Sequence, residues 1–187
     1  MKKLLLISSM LMLTTVHVTF AQTTKKQAIK AAVGFGYSIP YDDVDVSGEG
    51  FFAQGEYVYE FYNWLDVRPY AGVIFATSKE EDNEPREAGF RSDANAFFLG
   101  GKARVTAPIP WVAPYLEIGI GVSFGKLETI TDTTNIEESG VSYHIPFSVG
   151  LELGPKRNFD VSFTYLFHPS AEQFVGAAAI GFTFPLN

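Results

Sequence analysis

Residues 114–124 read PYLEIGIGVSF. Leu116, Ile118, Ile120, Val122 and Phe124 occupy every second place, and Tyr115, Glu117, Gly119, Gly121 and Ser123 fill the places between. A period of two belongs to a β-strand, whose successive side chains point to opposite faces. One face here is bulky and apolar, and the other is small, polar or charged.

The same contrast recurs in both directions along the chain. Upstream, Ile29, Ala31, Val33, Phe35, Tyr37 and Ile39 alternate with Lys30, Ala32, Gly34, Gly36 and Ser38. Residues 53–61 set Ala53, Tyr57, Tyr59 and Phe61 against Gln54, Glu56, Val58 and Glu60; residues 65–75 set Leu65, Val67, Ala71, Val73 and Phe75 against Asp66, Arg68, Tyr70 and Gly72. In the fourth segment Phe97, Leu99, Ala103 and Val105 oppose Gly100, Lys102, Arg104 and Thr106. Downstream, 141–152, 159–168 and 176–186 repeat the pattern, with His144, Ser148, Glu152, Asp160, Ser162 and His168 on the polar parity. Eight segments of roughly ten residues result, the length that crosses a bilayer at a tilt.

The charges in these segments share one parity. Lys30, Arg68, Lys102 and Arg104, with Glu56, Glu60, Asp66, Glu117, Glu152 and Asp160, all fall on the small or polar face, and His144 and His168 join them. A charge facing lipid at the midplane costs about 2–4 kcal/mol, so this face belongs inside a closed barrel and the apolar face outside. The expected interior is a paired polar network of these twelve residues that plugs the narrow lumen of an eight-stranded barrel.

Connections and aromatics fit the same reading. Long breaks at 40–50, 78–94 and 126–140 alternate with tight ones at 62–64, 108–112 and 154–158, and a brief seventh follows at 169–173. Phe61, Trp64, Trp111, Phe159 and Phe184 lie toward the tight turns; Tyr37, Phe75, Phe124, Tyr143, Phe167 and Phe174 lie toward the long loops. Two such girdles mark the two headgroup layers. Of 21 acids, 15 fall at the long-loop end, against only Lys79, Arg86, Arg91 and Lys126.

Composition limits the remaining classes. The 187 residues hold no Cys, which removes disulfides, thiolate metal sites and Cys nucleophiles. A formal net charge of −7 argues against nucleic-acid binding. After residue 22 no stretch approaches the ~18 apolar residues of a spanning helix. At the N-terminus Lys2 and Lys3 precede a mostly apolar body from Leu4 to Phe20 and a Thr19-Phe20-Ala21 cleavage site, so 1–21 is expected to be a signal peptide and 22–187 the barrel domain.

On these grounds the chain resembles the small eight-stranded outer-membrane β-barrel family, which includes the OmpX-like and OmpA-like barrels. The resemblance rests on residues 114–122 and on the closing Ile180-Gly181-Phe182-Thr183-Phe184, and it covers the whole of 22–187. It implies an all-β, antiparallel, up-and-down transmembrane barrel in the outer membrane, acting as a monomer in a structural or surface-interaction role. The implied partners are outer-membrane lipids, lipopolysaccharide and, during biogenesis, the barrel-assembly machinery. Members of the family commonly end on an aromatic residue, whereas this chain ends Phe184-Pro185-Leu186-Asn187.

No cofactor, metal or catalytic signature emerges. The acidic run at 80–87 lacks the order of a Ca²⁺ loop. The string Phe167-His168-Pro169-Ser170-Ala171-Glu172 resembles the His-x-Ser of outer-membrane lipid A deacylases, but Ala171 replaces that family's Asn and no acid follows Glu172. A lipid-modifying enzyme is therefore the second reading, and a secreted soluble barrel holding a small apolar ligand the third.

Overall fold

The computed structural model describes residues 27–42, 46–78 and 90–186. The signal peptide expected at 1–21, the cations Lys25 and Lys26 and the acidic run at 80–87 lie outside the described residues. Eight strands follow in order: β1 (Gln27–Pro40), β2 (Gly48–Tyr62), β3 (Leu65–Ser78), β4 (Arg91–Thr106), β5 (Val112–Ile130), β6 (Asn135–Leu153), β7 (Phe159–His168) and β8 (Gln173–Pro185). Each pairs antiparallel with its neighbours in sequence, and β8 returns to β1, from Ala28 opposite Pro185 to Pro40 opposite Gln173. The eight strands form a closed barrel.

The wall separates two environments by parity. On the outside stand Phe35, Ile118, Ile120 and Val161, all exposed. Between the two aromatic girdles no outward position of any strand carries a charge. Inside, alternate residues are buried, down to 1% exposure for Arg104 and 0% for His144. This exposed apolar band is the surface that hydrocarbon would solvate.

Strand length varies more than the sequence pattern indicates. The third long loop, expected at 126–140, is instead a continuation of the β5–β6 hairpin: Lys126 pairs with Ser139, Glu128 with Glu137 and Ile130 with Asn135, so the turn shrinks to 131–134. Ion pairs from Lys126 Nζ to Glu128 at 2.9 Å and to Glu137 at 3.0 Å stitch this extension. At the other extreme β7 has 10 residues, against 19 in both β5 and β6.

Of the three prolines inside strands, Pro114 pairs with Leu151 without a break near the start of β5, whereas Pro69 and Pro146 each interrupt a ladder, as the missing N–H requires. The β2–β3 register passes from Glu56 opposite Tyr70 to Tyr59 opposite Val67, skipping Pro69. The β5–β6 register passes from Ile118 opposite Phe147 to Gly121 opposite His144, skipping Pro146.

The lumen is filled by pairing small residues with large ones. A Cβ on Gly72 would meet the Phe98 ring, one on Gly121 would meet Tyr70 and His144, one on Gly150 would meet Tyr115, and one on Gly181 would meet Asp160 and Lys30. These glycines are present because a large side chain lies over each from the residue paired with it on the neighbouring strand, Phe98, His144, Tyr115 and Asp160 in turn, not to bend the backbone.

Adjacent residues test the parity. Val149 lies outside and half-exposed, whereas Ser148 is fully buried with its Oγ 3.0 Å from that of Thr164. Val149→Arg is expected to destabilise the barrel by about 2–4 kcal/mol in refolding titrations. Of single cysteines at 148 and 149 carrying a fluorophore, only the one at 149 should be quenched by a lipid-phase quencher; equal quenching would contradict the orientation.

Candidate functional site: a two-part lumen and an uneven rim

Toward the tight turns the lumen is charged. Lys102 from β4 places Nζ 2.9 Å from Glu56 Oε1 and 2.8 Å from Glu117 Oε2. Arg104 donates from Nε to Glu117 at 2.6 Å and from Nη1 to Glu152 at 2.8 Å, with its guanidinium 3.5 Å above the Tyr115 ring. Arg68 donates to Asp66 from both Nε, at 2.5 Å, and Nη2, at 3.0 Å, and from Nη1 to Glu56 at 3.1 Å. Lys30 reaches Asp160 at 2.5 Å, and the Tyr115 hydroxyl donates to the same carboxylate at 2.7 Å.

Ten of the twelve residues expected inside are buried there: Lys30, Glu56, Asp66, Arg68, Lys102, Arg104, Glu117, His144, Asp160 and His168. Glu152 is half-buried and bonded to Arg104, and Glu60 sits half-buried across the ladder from Asp66. The structure separates them into two groups, because His144 and His168 do not touch the ionic cluster directly. Removing charges from water costs about what their pairing returns, so the cluster fills and fixes the lumen more than it stabilises it.

Toward the long loops the lumen is apolar. Phe52, Ile74, Phe98, Leu166 and Val175 form its centre, lined by Ala76, Ala94, Ala96 and Ala177. Apart from Ala177, which the alternation of the last strand puts on the small parity, the strand pattern did not mark these residues as interior. The available signal was the pairs Phe51-Phe52 and Phe97-Phe98, where two bulky neighbours must occupy both faces.

Between the halves runs a chain of hydrogen bonds whose direction can be deduced. His168 Nδ1 lies 3.0 Å from the Leu166 carbonyl, which only accepts, so Nδ1 carries the hydrogen. His168 Nε2 must then accept from the Ser123 hydroxyl at 2.9 Å. With that hydrogen committed, His144 Nδ1 donates to Ser123 Oγ at 2.9 Å, and His144 Nε2 accepts from the Tyr70 hydroxyl at 2.6 Å. With neutral imidazoles this pattern assigns both rings the Nδ1–H tautomer, and every member of the chain is satisfied.

Above the apolar half a second polar layer closes the barrel. Gln173 Oε1 accepts from Ser38 at 3.1 Å and from Thr129 at 3.0 Å, all three side chains being buried. Beyond it Thr131 donates to Asp42, and hydroxyls of the 131–134 turn hold the Asp42 carboxyl below the usual carboxylate range.

The rim is uneven. β4 pairs with β5 as far as Arg91 opposite Ile130, but β6 pairs with β7 only from Ile145 onward. Among the described residues no strand pairs with the β7-side edge of β6 from Asn135 to His144. That is ten residues, or about 30 Å at ~3.3 Å each. Val141 and Tyr143 are exposed on its outer face.

Among the described residues no cluster of three or more metal-ligating side chains occurs. His168 uses both ring nitrogens inside the barrel, while Ser170 donates to Glu138 at 2.7 Å, so the His-x-Ser string does not form a nucleophile and base pair.

No protein-family model matches the chain, and no curated protein matches it by sequence. Solved structures do match. Neisserial surface protein A superposes with a TM-score of 0.59 at 13% identity, covering 84% of this chain and 96% of that one. The outer membrane protein OprG from Pseudomonas aeruginosa gives 0.52 at 11%, covering 86% and 97%, and the attachment invasion locus protein Ail of Yersinia pestis gives 0.51 at 16%, covering 87% and 99%. At these identities the likeness is one of fold: a closed, eight-stranded antiparallel barrel of the kind found in small outer-membrane proteins.

The network sets two expectations. Arg104→Ala leaves Glu117 and Glu152 short of their cation and is expected to cost about 3–5 kcal/mol, measured by urea unfolding in detergent. With both halves filled, planar-bilayer recordings should show no stable ohmic steps; large steady conductance would contradict a plugged lumen.

Proposed function

We propose that this chain is a non-enzymatic outer-membrane barrel whose role lies in the surface it presents at the long-loop end. The observation that carries the reading is the wall of β4, β5 and β6, which rises past the outer aromatic girdle and leaves one edge of β6 unpaired among the described residues. An open edge of alternating N–H and C=O groups accepts an extended peptide by strand addition, with main-chain hydrogen bonds supplying affinity. The barrel below, fixed by its filled lumen, serves as the rigid mount that binding loops need.

Charge narrows the choice of partner. Fifteen acids against four bases gather at this end of the sequence. Such a field disfavours anionic partners and favours cationic peptides, or divalent cations that bridge to lipopolysaccharide, with an effect that fades as salt rises. The apolar outer band takes outer-membrane lipid as its solvent, and insertion there requires export through the leader expected at 1–21 together with the barrel-assembly machinery. A single closed barrel needs no second copy to complete it.

Protease shaving of intact Gram-negative cells tests the orientation. Cleavage within 78–94 is expected, while the turns at Asn63 and Lys156 should stay intact until the outer membrane is opened. If the tight turns are cut first, the wall faces the periplasm and the surface role fails. A biotin-maleimide probe on a Ser139→Cys variant should label intact cells for the same reason.

A further inference from the structure

The turn between β4 and β5 departs from what a turn standing in water requires. From residue 107 to the first residue of β5 the chain reads Ala107-Pro108-Ile109-Pro110-Trp111-Val112, without one polar side chain apart from the indole N–H, and all six residues are exposed. Water-facing turns draw instead on Gly, Asn, Asp and Ser. Ile109 is 51% and Trp111 65% exposed. Trp111 also holds a φ of 71°, in the left-handed region that disfavours a bulky side chain, so the indole is kept at this place against a backbone cost.

A second turn brings charge beside it. The Gly154 N–H donates to the Trp111 carbonyl at 2.9 Å, which ties the β6–β7 turn to this one, and the Arg157 N–H closes that turn on the Gly154 carbonyl at 3.1 Å. Among the described residues Lys156 and Arg157 are the only charged side chains in the connections at this end, since neither 62–64 nor 107–111 carries one. The carboxylates nearest along the strands are engaged in the lumen, where Glu152 accepts from Arg104 at 2.8 Å and Asp160 from Lys30 at 2.5 Å. On the outer wall Leu116, Leu151 and Phe159 are exposed next to the two turns, so apolar surface continues from the hydrocarbon band to Trp111.

We propose that the joined turns 107–111 and 154–158 form a docking surface for an anionic phospholipid in the leaflet at the tight-turn end. Ile109 and Trp111 enter the boundary between headgroups and acyl chains, and Lys156 and Arg157 meet the phosphate. Continuity with the hydrocarbon band selects lipid as the occupant, because the medium that solvates Leu151 and Phe159 reaches the turn as well. An indole at that depth buries its ring and keeps its N–H on the wet side. The two cations attract a negative surface within a Debye length, and a guanidinium holds a phosphate through two donors. A zwitterionic lipid brings the same phosphate together with its own cation, so preference follows net charge. This surface lies at the opposite end from the open edge of β6 and does not depend on which end faces the cell exterior.

The test uses the full chain folded into phosphatidylcholine nanodiscs holding a minor fraction of lipid brominated near the carbonyl end of its acyl chains, with tryptophan emission as the readout. The chain has two tryptophans. Trp64→Phe leaves Trp111, and Trp111→Phe leaves Trp64, which stacks on Tyr62 in a turn without cations. Brominated phosphatidylglycerol should quench Trp111 more strongly than the same fraction of brominated phosphatidylcholine, through a local enrichment of about fivefold for each cation at low ionic strength. The difference should shrink as salt rises, and Trp64 should show a smaller one. Adding Lys156→Gln and Arg157→Gln to Trp64→Phe should bring quenching by the anionic lipid down to the phosphatidylcholine level while the folded gel mobility is kept. Should that variant fail to fold, the salt series on Trp64→Phe alone decides. Equal quenching of Trp111 by the two lipids, a preference as large at Trp64, a preference that persists at high salt or without the two cations, or no quenching of Trp111 by either lipid would overturn the docking surface.

Discussion

A sheet of eight strands that closes on itself encloses a space only wide enough for its own side chains. That restriction governs the rest of this protein. Everything pointing inward must fit against the side chains of the strands around it, and a polar atom brought in is costly unless it finds a partner there. The glycines at 72, 121, 150 and 181 meet the first demand, each lying under a large side chain. The ionic cluster around Glu56, Lys102, Glu117 and Arg104 meets the second, with four cations shared among carboxylates from five strands.

The period-two pattern assigns residues to a face but says nothing of height along the barrel. For that reason the face of all twelve polar residues, from Lys30 to His168, could be read from the sequence, whereas their division into an ionic cluster and a separate histidine pair could not. Depth is set by strand tilt and register, which depend on how each ladder starts and on the breaks at Pro69 and Pro146. The apolar half was missed for a related reason: Phe52, Ile74 and Phe98 follow or precede apolar residues of the outer face, so alternation there is masked by hydrophobicity on both sides.

The β5–β6 extension shows a different limit. Between Lys126 and Gly140 the composition is polar, which a loop and a water-exposed hairpin share. What distinguishes them is the cross-strand match of Lys126 with Glu137, and of Thr129 with Ile136. Such matches become visible only once the register is known.

The placement of charge along the barrel axis also bears on how the chain enters a bilayer. A hairpin that pushes its long-loop end across the hydrocarbon first carries the half whose interior is Phe52, Ile74, Phe98 and Leu166, and the carboxylates and ammonium groups trail behind near the turns. The leading half can collapse on itself while the wall is still open. The trailing half need surrender its water only as the last seam, β1 to β8, zips shut and brings Lys30 against Asp160. Segregation of the lumen thus orders the desolvation in time, with the cheapest surface buried first and the ions sealed last.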